Sequence, residues 1–304
     1  MKNRIVNNIS ASFYVIIILL LSLVNINNLK AQDLPADDAT KVTKLKPIKN
    51  TFDGTYIIDN QTVNMPSKNT LEFSLQHRFG VINNGYTDLY GLFAGANVRF
   101  GFYYTVLDNL QIGVGLCEEK MQWDGNIKLA LIRQSVKGGW PVSVTYYGNM
   151  AMVSNNDPFV SNLDRISYFN QLMIARKITD DLSLQVGPSF THYNNVEGYF
   201  ASDGTIKAKM NNDHFAISCL GRYKITEKFG LIANYDQPLT EHPSNNPRPN
   251  VSFGVEFATA GHVFQIFAGN YMSILQQSNN MFNQNDFLAS QYLLGFNLSR
   301  KFHF

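Results

Sequence analysis

Cysteine is almost missing from this chain. It has two, Cys117 and Cys219, on strands that lie far apart in the layout below, so they read as small strand residues rather than a disulfide staple. Charge is sparse too, at 16% of residues with a net of +2, which excludes the basic footprint of a nucleic-acid binder. After the first 24 residues no apolar run approaches the ~20 residues that a membrane-spanning helix needs, so a helical inner-membrane protein is excluded. His-x-His, Cys-x-x-Cys and carboxylate clusters at ligand spacing are lacking, and so is Gly-x-Ser-x-Gly. Neither a metal nor a cofactor is expected, and the chain is not read as an enzyme. The least poor catalytic constellation is Asp213-His214 on the strand that carries Ser218. Ser154-Asn155-Asn156-Asp157 gathers oxygen ligands, but with a single carboxylate before Pro158 it reads as an Asn-rich turn.

The amino terminus has what the rest lacks. Lys2 and Arg4 precede an apolar run over residues 13–24, broken only by Ser22, and Ala31 offers a small residue for cleavage. This is the layout of a secretory signal peptide over residues 1–31. Residues 32–69 then form a periplasmic leader, polar and lysine-rich at first. Within it Tyr56, Ile57 and Ile58, a turn at Asp59-Asn60, and Gln61, Thr62 and Val63 predict a small hairpin. That hairpin either plugs a barrel from below or packs as an edge hairpin at its rim.

Aromatic residues are abundant, with 15 Tyr and 22 Phe, and from Thr70 they alternate with polar ones. Leu71, Phe73 and Leu75 oppose Glu72, Ser74 and Gln76; Val98, Phe100 and Phe102 oppose Asn97, Arg99 and Gly101. That two-residue period is a strand with one greasy face. It recurs about twelve times, and the connections alternate long and short, as in bacterial outer-membrane barrels. The sequence therefore predicts an all-β fold: a transmembrane antiparallel up-and-down barrel over residues 70–304, with short periplasmic turns and long outer loops. In the closing stretch, Tyr292, Leu294, Phe296, Leu298, Phe302 and Phe304 share one parity, and it should pair with the strand starting at Thr70. Arg300 shares that parity, so it either snorkels or marks a bulge. The stretch 165–178 has apolar residues on both parities (Phe169, Leu172, Met173, Ile174), which leaves its faces open.

With the strands laid out, the chain resembles a family of exported outer-membrane β-barrel proteins of unknown function. The resemblance rests on Thr51-Phe52-Asp53-Gly54, His77-Arg78-Phe79-Gly80, Pro141-Val142-Ser143-Val144-Thr145-Tyr146, Ile174-Ala175-Arg176-Lys177, Gly221-Arg222-Tyr223-Lys224 and Gly261-His262-Val263-Phe264-Gln265. It implies an outer-membrane location and supplies no activity and no site residues. Outer-membrane lipid and, through Phe302 and Phe304, the barrel-assembly machinery are the expected partners. Ser299 stands where assembly signals often have Gly.

Function then falls to the lumen. The charged residues on the polar parity are Glu72, Arg78, Arg99, Lys128, Arg222, Lys224, Asp236, Glu256 and Lys301. Their basic excess points to a narrow channel for small polar or anionic solutes, with Arg99, Lys128 and Arg222 at the constriction. The alternative is a closed structural or interaction barrel, its charges paired across a filled interior, acting through the loops at 194–213, 239–249 and 272–290.

Overall fold

The computed structural model describes residues 47–304 apart from Lys49, Lys137, Gly138 and Pro158. The expected signal peptide, the first part of the leader (32–46) and the Lys137-Gly138 part of one connection lie outside the described residues.

The leader ends in a hairpin of two short strands, β1 (Tyr56–Ile57) and β2 (Asn60–Gln61). The wall begins with β3 (Thr70–Val81), β4 (Asn97–Leu107), β5 (Leu110–Cys117) and β6 (Gln122–Ile132). It continues through β7 (Ser143–Val153), β8 (Ile166–Lys177) and β9 (Leu182–Tyr193). A second small hairpin, β10 (Gly198–Phe200) and β11 (Ile206–Lys209), stands in the loop that follows. The wall resumes with β12 (Asp213–Lys224), β13 (Phe229–Pro238), β14 (Asn250–Ala258), β15 (His262–Gly269) and β16 (Leu293–His303). Each wall strand pairs antiparallel with its neighbours, and β16 closes on β3 to make a barrel of twelve strands. Lys301 stands opposite Glu72 and His303 opposite Thr70, so the expected closure holds.

The two-residue period decides which way each side chain points. On β3 every second residue from Thr70 is buried, including Glu72, Ser74 and Arg78 at 0% exposure. Outward-facing Phe100, Phe102, Val114, Phe253 and Ile266 are open to the surroundings. Polar inside and apolar outside is the arrangement that lipid imposes on a barrel, because lipid offers no hydrogen-bond partners. No helix among the described residues is long and apolar enough to cross a membrane.

Four connections at the periplasmic end are tight turns, at 108–109, 178–181, 225–228 and 259–261. The strict alternation of lengths fails at two places. The periplasmic connection 133–142 is longer than the tight turns, and the outer connection 118–121 is as short as a turn. The long loop after β9 holds β10 and β11, paired antiparallel through Tyr199 and Ala208. In the last outer loop, helix α1 (Gln276–Phe282) folds inward, with Gln277 and Met281 at 0% exposure.

Arg300 sits on the outer face in regular register opposite Phe73, and its guanidinium lies 4.7 Å from the Phe302 ring centroid. The bulge in this strand pair lies at residues 293–295 instead. The bulge alternative is thus excluded at Arg300, and its guanidinium reaches over Phe302 toward the periplasmic end of the strand.

Candidate functional site: a lumen filled from both ends

The leader hairpin occupies the barrel. Ile57, Ile58 and Thr62 are at 0% exposure and Phe52 at 1%. Of the two placements open from sequence, the structure has the plug, and Tyr56, Ile57, Ile58 and Val63 are all buried in it. The turn differs from expectation by one residue. Tyr56 pairs with Gln61 and Ile57 with Asn60, so the turn residues are Ile58 and Asp59.

That shift puts a β-branched residue in the left-handed region, at φ 59° for Ile58, a conformation costing about 1–3 kcal/mol. The wall holds it there. The Ile58 amide donates to Gln265 Oε1 (3.1 Å), and its carbonyl accepts from Asn297 Nδ2 (2.6 Å), Gln76 Nε2 (3.3 Å) and Arg78 Nη2 (3.4 Å). Further along, Gln185 accepts from the Val63 amide and donates to the Gln61 carbonyl. Asn60 Nδ2 donates to Asn234 Oδ1 (3.0 Å) and Asp236 Oδ1 (2.8 Å). This second role of Asn60 accounts for its absence from the turn.

Apolar contacts seat the same hairpin. Phe52, Ile57, Ile58 and Val63 cluster with Tyr147 of β7, Phe169, Met173 and Ala175 of β8, Leu220 of β12, Ile232 of β13 and Phe267 of β15. The unassigned stretch 165–178 is thereby explained. Phe169, Met173 and Ala175 face inward onto the plug, while Leu172 faces out.

From the outer end, the loop carrying α1 descends to meet the plug. Gln277 Nε2 donates to Asn149 Oδ1 (2.8 Å), Asn250 Nδ2 donates to Asn280 Oδ1 (3.2 Å), and Ser278 and Tyr193 share a hydroxyl contact at 3.1 Å. One void between plug, loop and wall, lined by Asp59, Gln76, Arg99 and Gln276 among others, has a volume of ≈ 10 Å³. That is about the volume that admits a single water.

The expected pore-lining residues divide into three groups. Arg99 and Arg222 are already paired. Arg99 makes a two-pronged contact with Asp124, Nε to Oδ2 at 2.9 Å and Nη2 to Oδ1 at 2.8 Å. Arg222 Nε donates to Glu256 Oε1 (2.6 Å), and its Nη2 lies 2.5 Å from Asp53 Oδ2. A second group depends on the plug. Lys128 Nζ donates to the Thr55 carbonyl (3.0 Å) and the Asn64 carbonyl (3.4 Å). Glu72 Oε1 accepts from Thr55 Oγ1 (2.7 Å), Lys301 Nζ donates to the Asp53 carbonyl (3.2 Å), and Arg78 and Asp236 make the contacts above. Lys224 alone falls outside the lumen. Its ammonium sits at the periplasmic turn, 3.4 Å from Asp181 Oδ1 and 3.2 Å from Glu227 Oε1.

Two further findings revise the sequence reading. Asp124 shares parity with Lys128 and was overlooked; Asp53 and Asp59 enter from the plug. With these three carboxylates counted, the luminal basic excess disappears. The other concerns Gly115 of β5, which with Gly113 forms a Gly-x-Gly inside a strand, where close packing is the expected cause. A Cβ at Gly115 would stand 2.2 Å from Arg99 Nη2 and 2.2 Å from Asp124 Oδ2. Its glycine makes room for that ion pair.

The poor catalytic constellation comes apart. Asp213 Oδ1 lies 2.6 Å from His192 Nδ1. His214 Nδ1 lies 2.9 Å from His242 Nε2, and Ser218 Oγ accepts from Gln171 and donates to the Gly187 carbonyl. In the loop at 154–157, Asn155 Oδ1 accepts from the Asp157 amide, an Asx turn. No group of three or more metal-ligating side chains occurs among the described residues, and both cysteines are free.

No curated protein matches the chain in sequence. Among solved structures it is similar to the NanC porin (TM-score 0.47, 9% identity, 77% of this chain and 100% of that one). It is likewise similar to the KdgM porin (TM-score 0.43, 10% identity, 77% of this chain and 99% of that one). A third is the COG4313 outer membrane channel from Pseudomonas putida F1 (TM-score 0.42, 11% identity, 79% of this chain and 97% of that one). The family model described as "Membrane bound beta barrel domain (DUF5777)" matches residues 52–302, plug and wall together, and the chain belongs to that family.

Proposed function

We propose that this protein is a plug-gated conduit of the outer membrane for small polar solutes, held closed in the state described here. The observation that carries the reading is where the luminal polar groups find their partners. Both hydrogen bonds of Lys128 end on plug carbonyls, and Gln76, Arg78 and Asn297 all donate to the Ile58 carbonyl. When the hairpin leaves, Lys128 loses both partners and Gln76, Arg78 and Asn297 lose the Ile58 carbonyl while keeping contacts within the wall; the freed polar atoms require water, so the vacated lumen is a wetted polar path. The Arg99–Asp124 and Arg222–Glu256 pairs stay in the wall. Lys128, Arg78 and Lys301 are released together with Glu72 and Asp236, and Asp53 and Asp59 leave with the plug. The opened wall then keeps Arg78, Arg99, Lys128, Arg222 and Lys301 against Glu72, Asp124, Asp236 and Glu256, so the basic excess read from sequence shrinks to one and the anion preference with it.

The apolar seat favours a second reading. Phe169, Met173 and Leu220 give the hairpin a core of its own, as in a permanently filled barrel that acts through its outer loops. Single-channel recording in planar bilayers separates the two. The full-length protein should be silent, and a barrel lacking residues 51–66 should conduct. A deleted barrel that folds, as shown by heat-shifted mobility on a gel, and yet stays silent sinks the conduit and leaves the filled barrel.

A further inference from the structure

The plug enters from the periplasmic end and α1 from the outer end, and the joint between them is narrow. Among the described residues, every hydrogen bond between the hairpin and the last outer loop ends on one residue, Asp59. Tyr271 Oη donates to Asp59 Oδ1 (2.8 Å), Asn279 Nδ2 donates to Asp59 Oδ2 (2.9 Å), and Gln276 Nε2 donates to the Asp59 carbonyl (2.5 Å). Asp59 is 2% exposed and Tyr271 1%.

The position of Asp59 is a consequence of the turn. Ile58 takes the left-handed conformation, and the four bonds from the wall fix its amide and carbonyl. The next residue is thereby aimed along the barrel axis at the underside of the outer loop. The Asp59 carboxyl thus accepts from two donors of the outer loop at once, one on each oxygen. Tyr271 ties the joint to the wall through a 2.7 Å contact with Ser252 Oγ. The loop's other anchors run to the wall and to neighbouring loops, among them the neutral contact of Gln277 with Asn149, the hydroxyl of Ser273 donating to the Glu119 carboxylate, and the Asp286–Arg248 ion pair; none of them reaches the plug.

We propose that Asp59 is the latch that couples the two gates, so that the outer loop opens only when the plug's tip has moved. This rests on the conduit reading for its purpose, and on the geometry alone for its existence. The latch makes the barrel an interlock: an outer ligand cannot lift the loop without drawing on the plug, and a periplasmic pull on the plug frees the loop.

The chain carries its own reporter. Cys117 is at 0% exposure beneath the start of the loop. Its thiol donates to Asn97 Oδ1 (3.4 Å), and Asn97 Nδ2 donates to the Met272 carbonyl (3.0 Å). A maleimide that cannot cross the outer membrane, added to intact cells, reaches Cys117 only when the loop lifts. The half-buried Cys219 is replaced by Ser in the background. Labelling of Cys117 should be slow with Asp59 in place, about tenfold or more faster in Asp59→Ala, and intermediate in Asp59→Asn. Hydrogen exchange over residues 51–66 reports whether the hairpin stays seated. Should it unseat in the Ala variant, the Asn variant, which keeps the shape, is the one read. Equal labelling rates in the wild type and the variants with a seated hairpin overturn the latch, as does fast labelling of the wild type. The result is independent of conductance: faster labelling beside a silent plug-deleted barrel keeps the latch and removes the conduit. The reverse outcome removes the latch alone.

Discussion

The two sides of the lumen are built differently. Across β3, β4 and β6 the inner face carries Glu72, Gln76, Arg78, Arg99, Asp124 and Lys128, each at 4% exposure or less. Across β8, β12 and β13 it carries Phe169, Met173, Ala175, Leu220 and Ile232, equally buried, interleaved with polar residues such as Gln171, Asn234 and Asp236. The polar side binds the plug by its backbone, through the Ile58, Thr55 and Asn64 carbonyls. The apolar side binds it by its side chains. The hairpin is thus an adaptor between two unlike surfaces, amphipathic across a width of a few residues. Hydrogen bonds on one side fix its register, and apolar burial on the other supplies most of the adhesion.

Breaking the apolar side should have the largest effect. Met173→Asp places an unpaired carboxylate against Ile57 and Ile58, at a cost of roughly 3–5 kcal/mol. The variant should keep its barrel and lose protection of the hairpin in hydrogen exchange. A smaller lesion on the same side, Ile57→Ala, should cost about 2–5 kcal/mol of plug docking, read as partial exposure of residues 51–66 to added protease. On the polar side, Gly115→Ala forces Arg99 and Asp124 apart. It should lower barrel stability by about 1–3 kcal/mol, measured by unfolding in detergent, while leaving the hairpin seated. If Gly115→Ala unseats the hairpin as fully as Met173→Asp, the division of labour between the two sides is wrong.

The difference between the sides also decides what the sequence could disclose. Period-two alternation located the strands, the closure of β16 on β3 and the inward direction of the charged residues, because lipid and a wet interior demand opposite polarities. It failed at β8, where the interior is itself a core and both faces are apolar. The signal was present in the inability to assign Phe169, Met173 and Ile174, but a single strand does not say what covers its second face. Parity pointed Arg99 inward and would have pointed Asp124 inward too, but their pairing across β5, between strands that are not neighbours, was not legible. Nor was the Asp59 joint, since it depends on the left-handed Ile58 and on an outer loop far away in the chain.

The outer rim should respond to acid, with a smaller effect. His242, in the loop 239–249, accepts from the Asn211 amide through Nδ1 (3.0 Å), so its Nε2–H donates to His214. Burial lowers the pKa of His242 below the usual 6.5. A depressed folded-state value means that its contribution is fully present above about pH 6.5 and is lost as pH falls through the folded-state value. Loop 239–249 should therefore loosen under mild acid, seen as faster amide exchange at Asn211, while the plug stays protected; unchanged exchange would remove this pair as a pin. The smallest expected effect concerns assembly. Phe304, 76% exposed at the chain's end, should when deleted reduce the yield of inserted barrel without changing hairpin protection in the fraction that inserts.

Hydrogen exchange of the intact protein in lipid, resolved at residues 51–66, tests the seating of the plug most directly. A hairpin shared between a polar and an apolar wall should exchange as slowly as the central residues of β3 and β8. Exchange at the rate of an unstructured leader, with the barrel strands protected, would contradict it.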